Sequence, residues 1–515
     1  MKIKKIYVSS CSAVFEIEND MCLNSPQKYN VYLNEKMALE NVDTNVFSIY
    51  NLNPDTEYEI KINLSEESNI FNTKKESCCI NVLDFYAVGD GKKDDTKAIQ
   101  LAVNTCPENG RVQIPAGIYH ISPITLKSNI TIEIMKDAVL LGSMDEDDYS
   151  VLPGEVPSSQ DGKKLECVSW EGCPVASHQS LLSAYHAHDI HIVGEGIVDG
   201  NAQNSTWWIN PKQRKIARPK IFFTNKCRNI FVSGVTFKNS PCWHLHPYNS
   251  TDLGFYDIKI IAPKDSPNTD GCNPESCDRV EIIGAHFSVG DDAIAIKSGK
   301  MYEGKAKNIP ASNHTIRNCL MEYAHGAVVL GSEMSGGVKD LSVTQCLFKN
   351  TDRGLRIKTR RGRGKDAVID GITFENIIMD GVLTPLVVNM YYFCDPDGKS
   401  GYVQNKSPLP VDDRTPYLGR FYFRNMVCNG CSVAAGFFYG LPEQPIEEIQ
   451  IENVKIAFRQ DAEYGHPAMM SDIEECTKLG LYFNNVKKVK LSNIDISGAV
   501  GEKVITQNVS EITEQ

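Results

Sequence analysis

Residues 228–237 read RNIFVSGVTF, and this short pattern decides the fold. A polar residue is followed by alternating apolar residues, a Gly or Asn, and a second alternating apolar pair. Apart from two longer spacers, its copies start 23 to 40 residues apart, a repeat length typical of a coiled parallel sheet. The other copies are SNITIEI from Ser128, HDIHIVGEGIVDG from His188, TDLGFYDIKI from Thr251, DRVEIIGAHF from Asp278, HTIRNCLMEY from His314, KDLSVTQCLF from Lys339, AVIDGITF from Ala367, EEIQIENVKI from Glu447 and KKVKLSNIDI from Lys487.

These repeats predict an all-β chain dominated by a right-handed parallel β-helix. The alternating apolar residues face a continuous core, while Asn and Gly occupy the bends, where left-handed backbone angles are tolerated. A length of 515 residues supports this prediction, because an ordinary core stops growing near roughly 250 to 300 residues and a solenoid does not. We expect cysteines such as Cys319 and Cys346 to belong to the core.

The first seventy-odd residues differ, because they read as short alternating strands. The segment NLNPDTEYEIKINL (51–64) resembles the tyrosine corner of fibronectin type III sandwiches. We therefore predict a small β-sandwich over residues 1–77 and the β-helix over 78–515. At their junction, VLDFYAVGDGKKDDTKAIQLAVNTC predicts an amphipathic helix that begins near Asp95 and caps the first rung.

Composition narrows the classes of partner. A net charge of −12 argues against broad binding to nucleic acid or to anionic membranes. The amino terminus lacks the apolar run of a signal peptide, and we find no stretch of about 20 apolar residues that would span a membrane. We therefore expect a cytoplasmic location and cysteines that remain thiols, and the sequence leaves the oligomeric state open.

Polar residues in four successive repeats predict a reactive column. Residues one rung apart in a parallel coil stack at roughly 4.8 Å, so residues separated by one repeat in the sequence become neighbours in space. The column would contain three carboxylates, an imidazole and two cations. They are Asp270 in SPNTDG, Asp291 and Asp292 in VGDDAIAIKSG, His325 in AHGAVVLGSE, and Arg356 and Lys358 in GLRIKTRRGRG.

Each part of this column also has a simpler interpretation. An isolated Asp-Asp pair is usually a solvated turn, and three clustered aspartates could instead bind calcium, as in pectate lyases. The basic run from Arg353 to Lys365 looks superficially like a nucleic-acid patch. Strand alternation nevertheless places Arg356 and Lys358 on one face, where they suit a carboxylate ligand.

The motifs N-T-D, G-D-D, H-G and R-I-K, in this order, resemble those of glycoside hydrolase family 28, the polygalacturonases, over nearly everything from residue 80 onward. The fibronectin-like amino terminus resembles the exo-acting type in particular. This resemblance implies hydrolysis of α-1,4-galacturonosyl linkages in pectin fragments, without a cofactor or metal. It implies a general acid at Asp291, activation of water by Asp270 and Asp292, and an orienting role for His325. It further implies substrate binding by Arg356, Lys358, Asn268 and His246, and by one of two adjacent tyrosines, of which Tyr391 is preferred to Tyr392.

The expected chemistry agrees with these roles. Inverting glycosidases hold their acid and base carboxyl groups roughly 6.5 to 9.5 Å apart to admit a water, and crowding of three aspartates raises the pKa of at least one. Two long spacers, Val151–His188 and Asp395–Arg420, are predicted to close one end of the groove and make the enzyme exo-acting. Rival hypotheses are a rhamnogalacturonan or xylogalacturonan hydrolase and a catalytically silent β-helical binding protein.

Overall fold

The computed structural model describes residues 1–65, 67–159, 162–300 and 308–514. The amino-terminal strands are β1 (Lys2–Val8), β2 (Ala13–Glu18), β3 (Asn24–Leu33), β4 (Lys36–Thr44), β5 (Val46–Ile49), β6 (Glu57–Ile62) and β7 (Ser68–Asn72). The first half of the coil contains β8 (Cys79–Asn81), β9 (Asp90–Asp94), β10 (Gly110–Ile114), β11 (Gly117–Ile121), β12 (Ile124–Thr125), β13 (Ile130–Ile134), β14 (Ala138–Gly142), β15 (Val151–Leu152), β16 (Glu155–Pro157), β17 (Lys164–Glu166), β18 (Ser177–His178), β19 (Leu182–Tyr185), β20 (His188–Val193), β21 (Ile197–Asp199), β22 (Phe222–Asn225), β23 (Arg228–Ser233), β24 (Thr236–Lys238), β25 (Leu245–Tyr248), β26 (Thr251–Tyr256) and β27 (Lys259–Ile261).

The second half contains β28 (Asp278–Ile283), β29 (His286–Ser288), β30 (Ile294–Ile296), β31 (Ala311–Arg317), β32 (Leu320–Glu322), β33 (Val328–Gly331), β34 (Val338–Thr344), β35 (Leu347–Lys349), β36 (Arg353–Lys358), β37 (Val368–Asp380), β38 (Thr384–Asn389), β39 (Tyr417–Leu418), β40 (Arg420–Cys431), β41 (Ala434–Tyr439), β42 (Ile446–Phe458), β43 (Leu479–Ser497) and β44 (Val504–Glu514). The α-helices among the described residues are α1 (Thr96–Thr105) and α2 (Gly401–Gln404), and neither is long and apolar enough to cross a bilayer.

The amino-terminal strands form two small antiparallel sheets, in the orders β1-β2-β5 and β4-β3-β6-β7, around an aromatic core that includes Phe15 and Phe47. The Tyr58 hydroxyl turns back to the chain and accepts a hydrogen bond from the Asn53 amide at 2.9 Å, as in a tyrosine corner. The last of these strands ends at Asn72 and the first strand of the coil begins at Cys79. The predicted boundary therefore falls in the connection between the two parts.

Helix α1 covers the first rung, as predicted. Its buried stripe contains Ile99, Ala102 and Val103, which belong to the same apolar core as the coil. Asp95 directly precedes it, and its carboxylate accepts hydrogen bonds from the amides of Val88 and Gly89 at 2.8 and 2.9 Å. The polar groups of this turn are thus satisfied while the helix closes the end of the core.

The rest of the chain is the predicted parallel β-helix. Strands β20, β23, β26 and β28 pair in parallel, and their register stacks Ile190, Ile230, Leu253 and Val280 into one buried row. Cys319 and Cys346 are fully buried, which confirms that they belong to the core. Apolar residues therefore supply a continuous core from rung to rung.

One face of the coil positions the reactive residues, and we call it the groove face. It contains strands β19, β22, β25, β30, β33, β36, β38 and β41, with residues 272–275 joining β25 to β30 through isolated parallel bridges. The register pairs Ala295 with Val329, Val329 with Arg356, and Arg356 with Val387. Side chains at matching positions of these strands therefore form columns along the coil.

The amino-terminal sandwich is attached to a different face of the coil by polar contacts. Arg317 Nε donates to Glu16 Oε1 at 2.6 Å, and Asn318 Nδ2 donates to the same oxygen at 2.7 Å. The Glu16 side chain is only 5% exposed, so this carboxylate relies on both donors for its solvation. The Tyr7 hydroxyl and the His191 imidazole make a second contact at 2.7 Å.

We predict that Arg317→Met loosens the sandwich, because it leaves the Glu16 carboxylate buried without its charged partner. The loss should be about 3 kcal/mol, at the low end for breaking a buried ion pair. Hydrogen exchange of the amides in β1, β2 and β5 measures it directly. The control Arg420→Met breaks the more exposed pair with Asp370 and should cost no more than about 1 kcal/mol. Equal protection of these amides from exchange in the two variants would contradict a role for Glu16 in holding the sandwich against the coil.

Candidate active site

The structure brings the three predicted aspartates together on the groove face. One carboxylate oxygen from each of Asp270, Asp291 and Asp292 lies within 4.8 Å of the others. Backbone hydrogen bonds between rungs fix this arrangement, because the Gly271 amide donates to Asp292 O at 3.0 Å and the His325 amide donates to Asp291 O at 3.1 Å. The stacking expected from chain spacing is therefore present.

Asp291 and Asp292 lie in a bend between β29 and β30, so strand alternation does not force them to opposite faces. Gly290 makes the bend possible, since a Cβ there would lie 2.4 Å from Ser266 O. The Asp292 amide donates to Asp291 Oδ1 at 2.9 Å and holds the two side chains in register. The bend therefore lets both carboxylates reach the groove.

His325 pairs with Asp291, with Nδ1 of the ring 3.3 Å from Oδ1 of the carboxylate. This hydrogen bond raises the pKa of His325 against the opposing effect of burial. Burial by itself would raise the pKa of Asp291, but the His325 hydrogen bond and the nearby charges of Lys358 and Arg356 lower that pKa to about 2. The two opposite shifts place the proton of the His325–Asp291 pair on the imidazole rather than on the carboxylate.

Asp292 is held by the two cations of the R-I-K motif. Lys358 Nζ donates to Oδ2 at 2.6 Å and Arg356 Nη1 approaches Oδ1 at 3.4 Å. Gly326 leaves room for this contact, because a Cβ at that position would lie 3.3 Å from Asp292 Oδ1. In the calcium-binding hypothesis, the positive charge beside the aspartates would come from a calcium ion. Here the ammonium group of Lys358 supplies a positive charge at Asp292.

Asp270 is almost fully buried, with 4% of its surface exposed. Burial, together with the charge of Asp291, raises its pKa well above the ordinary aspartate value. In the amide orientation that satisfies its hydrogen bonds, Asn273 donates to Asp270 Oδ2 at 3.0 Å. Behind it, Lys297 makes a buried ion pair with Glu333, Nζ to Oε2 at 2.9 Å. Sequence reasoning missed these three supporting residues.

A signal for Lys297 was present. Residues 294–297 read IAIK and residues 355–358 read LRIK, and the register of β30, β33 and β36 places Lys297 and Lys358 in one column. Asn268, predicted to bind substrate, is half-buried, and its Oδ1 accepts a hydrogen bond from Arg218 Nη2 at 2.6 Å. Arg218 therefore orients the N-T-D segment.

Two predicted binding residues are wrong. His246 has no exposed surface and bonds through Nε2 to Glu275 at 2.9 Å, so it cannot contact a substrate, and burial lowers its pKa to about 4. Tyr391 is also fully buried, with Lys406 Nζ 3.7 Å from its ring centre. Its neighbour Tyr392 lines the groove instead, with Lys358 Nζ 5.9 Å from its ring centre.

The nearest carboxylate oxygens of the column leave room for a water. One oxygen from each aspartate lies within 4.8 Å of the others. Two carboxylate oxygens less than about 5.6 Å apart can both accept from one water at about 2.8 Å each.

Three further arginines of the basic run, Arg360, Arg361 and Arg363, do not form a nucleic-acid patch. Arg361 pairs with Glu443 at 2.5 Å, Arg360 pairs with Asp397 at 2.7 Å, and Arg363 pairs with Asp395. All three arginine side chains are buried. They anchor the spacer after β38 beside the groove.

Residues 166–173 of the first long spacer cross the groove face, and we call them the first wall. Tyr248 Oη donates to Glu166 Oε2 at 2.5 Å, and Lys220 Nζ donates to Ser169 O at 2.8 Å. Trp170 stacks on Trp243 with ring centres 4.7 Å apart. Tyr248 ends β25 and Trp243 precedes it, so the wall reaches from one edge of the groove to the other.

The comparisons with known proteins identify the family of this chain. The family model for glycosyl hydrolases family 28 matches residues 111–414. This chain belongs to glycosyl hydrolase family 28. A probable polygalacturonase of Vitis vinifera is 32% identical to the enzyme over 390 residues, which cover 73% of this chain and 74% of the relative.

Other relatives of the family 28 enzyme are more distant. An exo-poly-alpha-D-galacturonosidase of Dickeya chrysanthemi is 25% identical and covers 68% of this chain and 64% of its own length. The family 28 exopolygalacturonase structure of Yersinia enterocolitica superposes with a TM-score of 0.71 at 17% identity. It covers 99% of this chain and 98% of its own, so the fold likeness includes the amino-terminal sheets.

We predict that His325 sets the alkaline limb of the pH dependence of kcat/KM, which reports groups of the free enzyme. Because its pKa is raised, the proton is present below the ordinary imidazole value near 6.5 and is lost as pH rises through the raised value. Without His325, the pKa of Asp291 rises toward that of an ordinary carboxyl group and the pair loses its imidazole proton. The alkaline limb of kcat/KM for the His325→Gln variant should therefore move to lower pH.

The control for this profile is His188→Gln, which removes a partly exposed histidine paired with Asp189 away from the groove. Its profile should match that of the unmodified enzyme. An unchanged alkaline limb in His325→Gln would assign the titrating proton to Asp270.

Proposed function

We propose that this family 28 enzyme is an exo-acting polygalacturonase, which removes galacturonic acid from one end of galacturonide chains with inversion. One observation carries the proposal: the three-aspartate column lies beside Arg356 and Lys358 in a groove that the first wall crosses. The column supplies the chemistry, the cations recognise a uronate, and the wall favours a chain end.

The column can divide the work of hydrolysis. His325 passes the proton of the pair to the Asp291 carboxylate, and Asp291 donates it to the glycosidic oxygen as the bond to the anomeric carbon breaks. A water between Asp270 and Asp292 attacks that carbon from the other side of the sugar. Its proton passes to Asp292, which Lys358 and Arg356 hold in place. Direct attack by water inverts the anomeric centre.

Recognition of the sugar carboxylate falls to Arg356 and Lys358. Both cations are largely buried yet line the groove together with Tyr392. A carboxylate bound between them would be met by charge-assisted hydrogen bonds, which are stronger than those to a neutral sugar. Tyr392 offers a ring face for the same residue of the substrate.

The first wall supports exo action. It is fixed to strands on both edges of the groove, and Lys300 Nζ ties it further through Glu171 at 3.3 Å and the second spacer through Asp395 at 3.5 Å. A galacturonan chain that occupies the column cannot continue through these residues. The exo-acting relative from Dickeya chrysanthemi supports the same proposal.

Proton NMR during digestion of tetragalacturonide tests both parts of the proposal. We expect galacturonic acid and trimer as the first products, because only a terminal unit fits beyond the column, and the new reducing end should appear first as the inverted anomer. Early digalacturonide would contradict exo action. First appearance of the retained anomer would contradict direct attack by water.

We also predict that Asp291→Asn lowers kcat by about 100- to 10,000-fold, since the amide keeps the shape of the side chain but cannot donate the proton. Steady-state hydrolysis of a galacturonide measures it, with circular dichroism to verify folding. The control Asp265→Asn changes an exposed aspartate in the same loop as Asp270 and should keep normal turnover. Near-normal kcat in Asp291→Asn would remove Asp291 from the role of acid.

A further inference from the structure

Residues 459–478 cross the groove face on the other side of the column, and we call them the second wall. The repeat pattern does not predict them, because they connect the last two copies of the repeat. Those copies form β42 and β43. On one edge of the groove, the Glu463 amide donates to Ser432 Oγ at 3.1 Å. On the opposite edge, the Ser471 amide donates to Gln404 Oε1 at 3.0 Å. The segment therefore spans the full width of the groove.

Apolar anchoring makes this wall a fixed part of the structure. Ala468 and Met470 are buried, each 4% exposed, and both belong to the main core cluster together with Phe437 of the groove face. Ile473 packs against the same cluster. Burial of such side chains stabilises the wall, so a ligand does not displace it easily.

Met469, between the two buried anchors, is the residue that faces the site. Its Sδ contacts the guanidinium of Arg356, and its carbonyl oxygen accepts a hydrogen bond from Asn389 Nδ2 at 3.1 Å. It also lines the small cleft formed by Arg356, Lys358 and Tyr392. The second wall thus begins directly beside the cations that we assign to carboxylate recognition.

The two walls fix the length of the site. Trp170 of the first wall covers the rung of β25, and Met469 covers the rung of β36, with the rungs of residue 272, β30 and β33 between them. Four intervals of about 4.8 Å give about 19 Å between the walls. Contact distances of about 4 Å at each wall reduce the usable length to about 11 Å, room for two or three sugar rings.

We propose that the site contacts only the first two or three sugar units of a galacturonide and that Met469 sets this limit. This proposal rests on the proposed function, because it concerns the same groove. Sugar units beyond the second or third must turn out of the groove at Met469 and gain no contacts there. Di- and trigalacturonides therefore already make every contact that the groove offers, and longer chains bind no more tightly.

The test is a series of kcat/KM values for galacturonides from the dimer to the hexamer and for polygalacturonate. In the unmodified enzyme kcat/KM should stop rising at the trimer. In Met469→Ala the tetramer should gain at least about 10-fold relative to the dimer, the lower end of what a change in pocket size does to specificity. A second variant, with residues 466–472 replaced by a short glycine linker, should extend the gain to longer chains.

The matched control is Tyr464→Ala, which trims a 71% exposed side chain on the same wall and should leave the series unchanged. A kcat/KM that keeps rising from trimer to hexamer in the unmodified enzyme would overturn the length limit. If that rise were accompanied by galacturonic acid as the only product, the length limit would be wrong but exo action would still hold. An enzyme that releases no galacturonic acid from any of these substrates would instead overturn the proposed function itself.

Discussion

The parallel register of the groove face is the constraint on which the site depends. Hydrogen bonds from Gly271 to Asp292 and from His325 to Asp291 join groups that are far apart in the chain but one rung apart in space. A one-residue slip in any of these strands would turn its side chains to the opposite face. The buried rows of Ile, Val and Leu oppose such a slip, so the apolar core fixes the catalytic geometry.

Charge balance is the second requirement, because three carboxylates within 4.8 Å repel one another. Cations at neighbouring positions of the coil offset this repulsion. Lys358 contacts Asp292, and Lys297 lies near Asp270. Glu333 forms an ion pair with Lys297 and neutralises its charge. His325 completes the balance at Asp291. The residues that hold the reactive groups therefore also set their protonation.

Periodicity predicted the coil, the cap and the column, because each depends on local alternation and on spacing between repeats. It failed where a distant segment covers the face. His246 occupies the same register column as Arg356, but the first wall and Trp243 bury it. Tyr391 follows the end of β38 at Asn389, where alternation no longer decides which side chain faces the groove. Both walls are irregular, so their paths depend on tertiary contacts without a sequence period.

The most direct test of the account is a crystal structure of Asp291→Asn with trigalacturonide bound. We expect the sugar in the groove between Trp170 and Met469, with a glycosidic oxygen within hydrogen-bonding distance of the residue 291 amide. A sugar carboxylate should lie against Arg356 and Lys358, and a water should lie between Asp270 and Asp292. A trisaccharide bound on another face, or one that runs past either wall along the groove, would contradict the account.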